Sequence, residues 1–136
     1  DIMDTGLELH RYDIIDAQIT IRMSSGSVQK KRRPYIIVGN ERGTKAAPTV
    51  IAMPLTHIIK KTTLPVHGYL EANSDTGLVS YSMILGEQPT TLDKKQEVIR
   101  KIGTVLDQKQ RDMINKICFN TFFIGENINW EEVLAC

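Results

Sequence analysis

The chain has 136 residues, of which 41% are hydrophobic and 24% charged, and its formal net charge is +1. This length predicts one domain whose core is large enough to need no disulfide or metal. No apolar run approaches the roughly 18 residues of a membrane span, and no signal peptide is visible. The two cysteines, Cys118 and Cys136, have neither disulfide nor metal-ligand spacing. We therefore expect a cytoplasmic protein that uses no cofactor and does not bind membranes.

Charge is distributed unevenly along the chain. Residues 1–16 carry one Arg and five acids, whereas residues 17–70 carry nine Lys or Arg and one acid. Residues 71–136 are acidic again, with seven Lys or Arg against ten acids. Because attraction to phosphate depends on the field of one face, the cationic centre predicts a surface that binds a polyanion. A solvated lysine-rich loop is the alternative.

The first half of the chain predicts a tail at residues 1–9 and then four strands. Hydrophobic alternation and β-branched runs place these strands at residues 11–20, 35–38, 49–55 and 64–70. The connections are predicted as a loop at 23–31, a turn at 39–43 and a short basic connector at 57–63 that could form one helical turn. Pairing of the second and third strands would bring Arg33 and Thr56 to the same edge of a sheet.

The second half predicts a turn at 73–77, a strand at 78–88 and a shorter strand at 98–104. Apolar residues then recur at helical spacing over residues 107–123, with Asp107 as N-cap and Gln110 three positions later. Residues 125–136 form a C-terminal tail in which Trp130 could start a last helical turn. The predicted domain, residues 10–124, is thus mainly β (α+β), with five or six short strands followed by one amphipathic helix.

Few kinds of chemistry fit this composition. The sequence has no metal-ligand spacing, no glycine-rich phosphate loop before a helix and no nucleophile elbow. It does offer a cationic edge with hydroxyls, an acid and an amide. Such groups suit a metal-free transphosphorylation of RNA, in which the 2′-hydroxyl attacks the adjacent phosphorus and the protein orients and neutralises the phosphate.

Several segments in a fixed order resemble the MazF/PemK (Kid) toxins of bacterial toxin–antitoxin systems. The matching segments are Arg11-Tyr12-Asp13-Ile14, Gly26-Ser27-x-Gln29, Arg33-Pro34, residues 48–56, Leu64-Pro65-x-His67, Glu87-Gln88-Pro89 and Lys101-Ile102-Gly103-Thr104. The resemblance implies an SH3-like β-barrel with a C-terminal helix, acting as a homodimer. It also implies an endoribonuclease that cuts single-stranded mRNA at short sequences without metal, leaving 2′,3′-cyclic phosphate and 5′-hydroxyl ends. A cognate antitoxin would neutralise it.

The same resemblance implies roles for individual residues. Arg33 and Thr56 fall on the catalytic arginine and threonine of the family. Ser27, Gln29, Glu87 and Gln88 match positions that line the RNA groove of the family. The basic run and the basic connector add Lys30, Lys31, Arg32 and His57 as RNA-binding candidates, and many members have two small residues in place of Lys30 and Lys31. The chain departs from many members at Val28, where they have an acid, at Thr90, where they have an arginine, and at Leu85, where the Kid branch has an arginine.

Structural interpretations stand beside these roles. Arg33 could merely start a strand, Thr56 could cap a helical turn, and Glu87 could pair with a lysine. His67 and Cys118 are expected to be structural. Two other functions remain open at this stage: a catalytically impaired module of the same fold that binds RNA or protein, and a toxin that targets gyrase through its C-terminal helix.

Overall fold

A computed structural model describes residues 7–60 and 63–135. Within these ranges the chain forms seven strands and three helices. The strands are β1 (Asp13–Arg22), β2 (Val28–Ile37), β3 (Thr49–Thr56), β4 (His67–Leu70), β5 (Ser82–Leu85), β6 (Thr90–Asp93) and β7 (Val98–Thr104). The helices are α1 (Glu41–Ala46), α2 (Gln108–Phe123) and α3 (Trp130–Leu134). The mainly β class with a C-terminal helix is confirmed, with more strands than predicted.

The strands form one antiparallel sheet. Its order is β4–β5–β3–β2–β1–β7, and β6 pairs with β3 beside this path. In the described part of the chain the end strands β4 and β7 do not pair, so the sheet is open, whereas the predicted barrel would be closed. The predicted neighbours β2 and β3 do pair, with Tyr35 opposite Pro54 and Ile37 opposite Ala52. The strand predicted at 64–70 is β4 (His67–Leu70), and it lies at one end of the sheet.

Two predicted connections, the loop at 23–31 and the turn at 39–43, are more ordered than their composition indicated. The predicted loop at 23–31 is shorter, since β2 already begins at Val28 and pairs with β1. The predicted turn at 39–43 leads into α1, whose N-cap Asn40 accepts a hydrogen bond from Gly43 N at 2.7 Å. Ladder hydrogen bonds and an N-cap thus order segments that composition alone suggested were irregular.

Three further boundaries also differ. The predicted strand at 78–88 is ordered only as β5, and Val79 before it is fully exposed. Residues 90–93, which lie outside the predicted strands, pair with β3 as β6. Within the described residues of the connector, 57–60 and 63, no helical turn forms. The rest of that connector and residues 1–6 of the predicted tail lie outside the described residues, while Leu9 is buried.

Two apolar clusters cover opposite faces of the sheet. The α2-side cluster lies between the sheet and α2 and includes Ile14, Ile36, Met53, Leu55, Ile84, Ile114 and Ile117. The β6-side cluster includes Ile15, Ala17, Tyr35, Ile37, Ala52, Leu92 and Val98. Neighbouring residues of β1 and β2 alternate between the clusters, as the period of two of a strand requires. Odd-numbered positions of these two strands therefore face the β6 side and even-numbered positions face the α2 side.

The predicted C-terminal helix is confirmed as α2. Asp107 is its N-cap and accepts from Gln110 N at 3.0 Å, and the helix buries Ile114 and Ile117. Thr121 Oγ1 donates to Gly86 O at 2.9 Å. A Cβ atom at Gly86 would overlap the Val66 carbonyl oxygen, so a glycine permits this close approach.

Tyr12, directly before β1, connects this strand to α2. Its φ of 77° lies in the left-handed region that glycine favours. The phenol donates to Asn115 Oδ1 at 2.8 Å. The guanidinium carbons of Arg111 and Arg11 lie 4.5 and 5.0 Å from the ring centroid. These contacts offset the strain of a tyrosine at this position.

Among the described residues, no helix is both long and apolar enough to cross a membrane.

Candidate active site and RNA-binding surface

The β1–β2 hairpin extends beyond the strands that flank it. Its ladder runs from Ile14 opposite Ile36 to Arg22 opposite Val28. On one side β7 pairs with β1 only as far as Ala17, and on the other side β3 pairs with β2 only from Tyr35. Residues 19–31 therefore form a two-stranded arm, closed by a turn with Gly26 at φ 91°.

Strand pairing divides the basic run at the base of this arm. Arg33 lies opposite Ala17, a member of the β6-side cluster, and Lys31 lies opposite Ile19, which packs against that cluster. Arg32 lies opposite Gln18 and Lys30 opposite Thr20, on the α2 side. Cross-strand partners share a face, so the four cations predicted as one group are split between the two faces.

The proposed catalytic pair, Arg33 and Thr56, lies on the β6-side face. The β2–β3 pairing ends with Tyr35 opposite Pro54, so Arg33 and Thr56 both lie two residues beyond the last pair, at the same end of the two strands. Ala52 belongs to the β6-side cluster, and alternation along β3 gives Pro54 and Thr56 the same side. The two side chains predicted to act on the phosphate are thus brought to one edge and one face of the sheet.

Arg33 is half-buried and, among the described residues, its side chain forms no hydrogen bond or ion pair. Its charge reaches Tyr35, two positions on. Burial raises the pKa of the Tyr35 phenol, the Arg33 charge opposes that rise, and the Glu97 carboxylate adds to it. The phenol therefore stays protonated at neutral pH. Because the Arg33 guanidinium has no partner among the described residues, it remains available to bind two phosphate oxygens.

Thr56 ends β3 and is also half-buried. Its Oγ1 accepts a hydrogen bond from Ile58 N at 3.2 Å, which is a local turn rather than a helix cap. The hydroxyl hydrogen can still donate to a substrate oxygen. His57 follows directly and is exposed.

Other predicted RNA-binding residues are spread along the arm. Gln29 lies opposite Ile21 and so shares the face of Arg33. Ser27 lies in the turn, where its Oγ is 2.9 Å from Ser25 Oγ. Val28, the position where many family members carry an acid, lies opposite Arg22 on the α2 side. Val28 therefore does not lie on the face of the proposed catalytic pair.

Glu87 and Gln88 connect β5 to β6 beside the middle of β3. The residue opposite Thr56 is Met83, so neither Glu87 nor Gln88 is level with the catalytic pair. Glu87 Oε1 lies 2.9 Å from Nε2 of the largely buried His67. The structural interpretation expected a lysine as the partner of Glu87, but the partner is this histidine. The imidazole fixes the carboxylate, which remains partly exposed.

Two residues that the sequence did not mark, Asp16 and Arg100, lie at the base of the arm. Arg32 Nε and Nη2 donate to Asp16 Oδ2 at 2.9 and 2.5 Å, and Arg100 Nε lies 3.8 Å from the same oxygen. This hydrogen bond raises the pKa of the Arg32 guanidinium. The sequence signal that could have indicated this contact is Asp16, an acid within an otherwise apolar part of β1. Arg32, predicted to bind RNA, therefore also has a structural partner.

No group of three or more His, Cys, Asp or Glu side chains within residues 7–60 and 63–135 could hold a metal ion.

Comparison with known proteins identifies the family. The family described as PemK-like, MazF-like toxin of type II toxin-antitoxin system matches residues 10–119. A relative from Staphylococcus saprophyticus named Endoribonuclease MazF is 38% identical over 92 residues, which cover 68% of this chain and 75% of the relative.

Solved structures share the fold. The Mycobacterium tuberculosis toxin MazF-mt6 superimposes with a TM-score of 0.62 at 22% identity, over 81% of this chain and 95% of that chain. A mycobacterial endoribonuclease in complex with its cognate antitoxin gives 0.61 at 19% identity, over 89% and 99%. The chain therefore belongs to the PemK-like, MazF-like family of toxins of type II toxin–antitoxin systems.

Proposed function

We propose that this toxin is an endoribonuclease that cleaves single-stranded mRNA in the cytoplasm, at short sequences and without a metal ion. The observation that carries this proposal is that Arg33 and Thr56 lie just beyond the last β2–β3 pair, at the same end of the two strands and on the same face. An arginine and a threonine hydroxyl there can hold one phosphate between them. The family and the relative named Endoribonuclease MazF support the same activity.

The reaction follows from what these two side chains can do. The 2′-oxygen forms a bond to phosphorus while the bond from phosphorus to the 5′-oxygen breaks. The 2′-hydroxyl loses a proton and the leaving 5′-oxygen gains one, so the products are a 2′,3′-cyclic phosphate and a 5′-hydroxyl. Arg33 neutralises charge that grows on the non-bridging oxygens, and Thr56 donates a hydrogen bond to one of them.

The arm extends this site along the RNA. Lys31 and Gln29 share the face of Arg33, so a strand bound at Arg33 meets a cation for its next phosphate and an amide that can read a base edge. Ser27 at the tip, and His57, Glu87 and Gln88 beside β3, supply further polar groups. Sequence choice then depends on unstacked bases that reach these groups.

The proposal includes two protein partners. A cognate antitoxin would cover the β6-side face with an acidic, apolar segment, and the toxin would act as a homodimer. Structures that hold a toxin of this fold with an antitoxin support the first partner. Sedimentation of the purified toxin, alone and with its antitoxin, measures both assemblies.

The decisive experiment incubates the purified toxin with a long single-stranded RNA in EDTA, beside an Arg33→Ala variant and an Arg42→Ala control. Arg42 is an exposed arginine of α1, beyond the opposite end of β2. We expect discrete cuts with 5′-hydroxyl ends from the wild type and the control but not from Arg33→Ala. Intact RNA from a folded wild type would instead indicate an impaired binding module.

A further inference from the structure

We propose that the α2-side face at the base of the arm is a second phosphate-binding surface, formed by Lys30, Arg32 and Arg100, which holds a part of the RNA strand that lies outside the catalytic face. This inference rests on the proposed function, because the ligand is the same single-stranded RNA. It gives Lys30 and Arg32 a place different from the catalytic groove, and it adds Arg100, which no motif marked.

Asp16 organises this surface. Its carboxylate is 11% exposed, and the side chains of Arg32 and Arg100 that converge on it remain 55% and 61% exposed. One buried acid thus hydrogen-bonds Arg32 and forms an ion pair with Arg100, and both arginine side chains stay more than half exposed. An arginine that a partner holds in place loses less conformational freedom when it binds a phosphate.

The charge of this face favours a polyanion. The α2-facing positions of the hairpin from Asp16 to Arg32 include Arg22 and Lys30 as well as Arg32. Lys30, Arg32 and Arg100 against the single carboxylate of Asp16 give this surface a net charge of +2, and Arg22 adds a fourth cation further along the arm. Such a surplus attracts phosphate independently of base sequence.

The composition of the face favours RNA over a protein partner. Among the described α2-facing positions of the hairpin from Asp16 to Arg32, only Val28 is a large apolar side chain, and the others are Asp16, Gln18, Thr20 and the cations. A stable protein interface has an apolar core, which this face lacks. These hairpin positions, all of which the structure describes, also include no aromatic ring on which a base could stack, so we expect contacts to the RNA backbone alone.

The geometry allows one RNA strand to reach both faces. The arm is only two strands wide. Because neighbouring strands lie about 4.7–4.9 Å apart, its width is about 10 Å. A strand that leaves Arg33 can therefore pass the edge of the arm and continue on the α2 side. Only RNA longer than the catalytic face would use the second surface.

The test compares RNA binding by the wild type, by a Lys30→Gln/Arg100→Gln double variant, and by an Arg42→Gln control. Arg32 is left intact so that Asp16 keeps its partner. The probe is single-stranded 2′-O-methyl RNA, which cannot be cut, in a short form of about 6 nucleotides, within the range one small fold covers, and in a form several times longer. Affinity is measured by fluorescence anisotropy at increasing salt.

For the long RNA we expect the salt slope to fall by about 1.4 in the double variant, since each lost phosphate contact removes about 0.7. Between 50 and 200 mM salt the wild type should then lose about sevenfold more affinity than the double variant. The control should match the wild type, and the short RNA should show no comparable change in slope.

Two results would overturn the inference. An unchanged slope with the long RNA would remove these cations from the phosphate path, and an equal fall with the short RNA would return them to the catalytic groove. Because binding is measured without cleavage, a toxin that fails to cut RNA would overturn the proposed function separately.

Discussion

Replacing Arg33 by alanine separates a catalytic role from a structural one. The side chain is half-buried and has no hydrogen-bond or ion-pair partner among the described residues, so its removal should change the free energy of unfolding by no more than about 0.5 kcal/mol. For a chain of this size that corresponds to a shift in melting temperature of less than about 3 °C.

The loss of activity should be much larger. If Arg33 binds the phosphoryl oxygens mainly in the transition state, its removal should lower kcat by about 10²- to 10³-fold, or about 2.7–4 kcal/mol, as for the loss of one oxyanion donor. An Arg33→Lys variant should be intermediate, because lysine keeps the charge and loses the planar fork.

The assay is single-turnover cleavage of a fluorescent RNA that carries one mapped site, with melting followed in parallel. Arg42→Ala is the matched control and should cleave like the wild type. A fall in kcat of less than tenfold would refute the assigned role. A drop in melting temperature of more than about 5 °C would show instead that Arg33 supports the fold.

Three further predictions concern stability. Asp16→Asn should lower the urea midpoint of unfolding, because it removes the negative charge that pairs with Arg32 and Arg100. An unchanged midpoint would contradict this structural role. Gly86→Ala should cost about 1–3 kcal/mol in urea unfolding, because its Cβ would overlap a backbone oxygen that cannot move aside cheaply. Glu41→Gln should lower the melting temperature most between pH 4.5 and 6.5. The protonated His10 ring donates from Nδ1 to Glu41 Oε2 at 2.6 Å, and this hydrogen bond raises the pKa of His10 and lowers the pKa of Glu41. Their pairing therefore weakens as pH rises above this window or falls below it. A constant difference from pH 4 to about 9 would contradict the pairing.

The parts of the fold that the sequence predicted were those with strong local signals. The helix α2 has 16 residues with a regular apolar spacing and a capping aspartate, and β3 is a β-branched run that ends at Thr56. Antiparallel pairing of β2 with β3 then placed Arg33 near Thr56, because Arg33 precedes the paired part of β2 and Thr56 ends β3. The roles of these two residues came from the family resemblance.

The parts that the sequence did not predict depend on distant partners. A run of four cations has no hydrophobic alternation of its own, so only the register with Ile19 and Ala17 shows which face each cation takes. The bonds from Arg32 to Asp16 and from His67 to Glu87 join residues on different strands or loops. No local pattern specifies them, since tertiary packing decides which side chains meet.

The most direct test of the account uses an RNA with one 2′-deoxynucleotide on the 5′ side of a mapped cut site. The account requires the 2′-hydroxyl as nucleophile, so in EDTA this substrate should stay intact while an all-ribose RNA of the same sequence is cut. Cleavage of the deoxy-substituted bond at a similar rate would contradict the account, because water or a side chain would then have to attack the phosphorus.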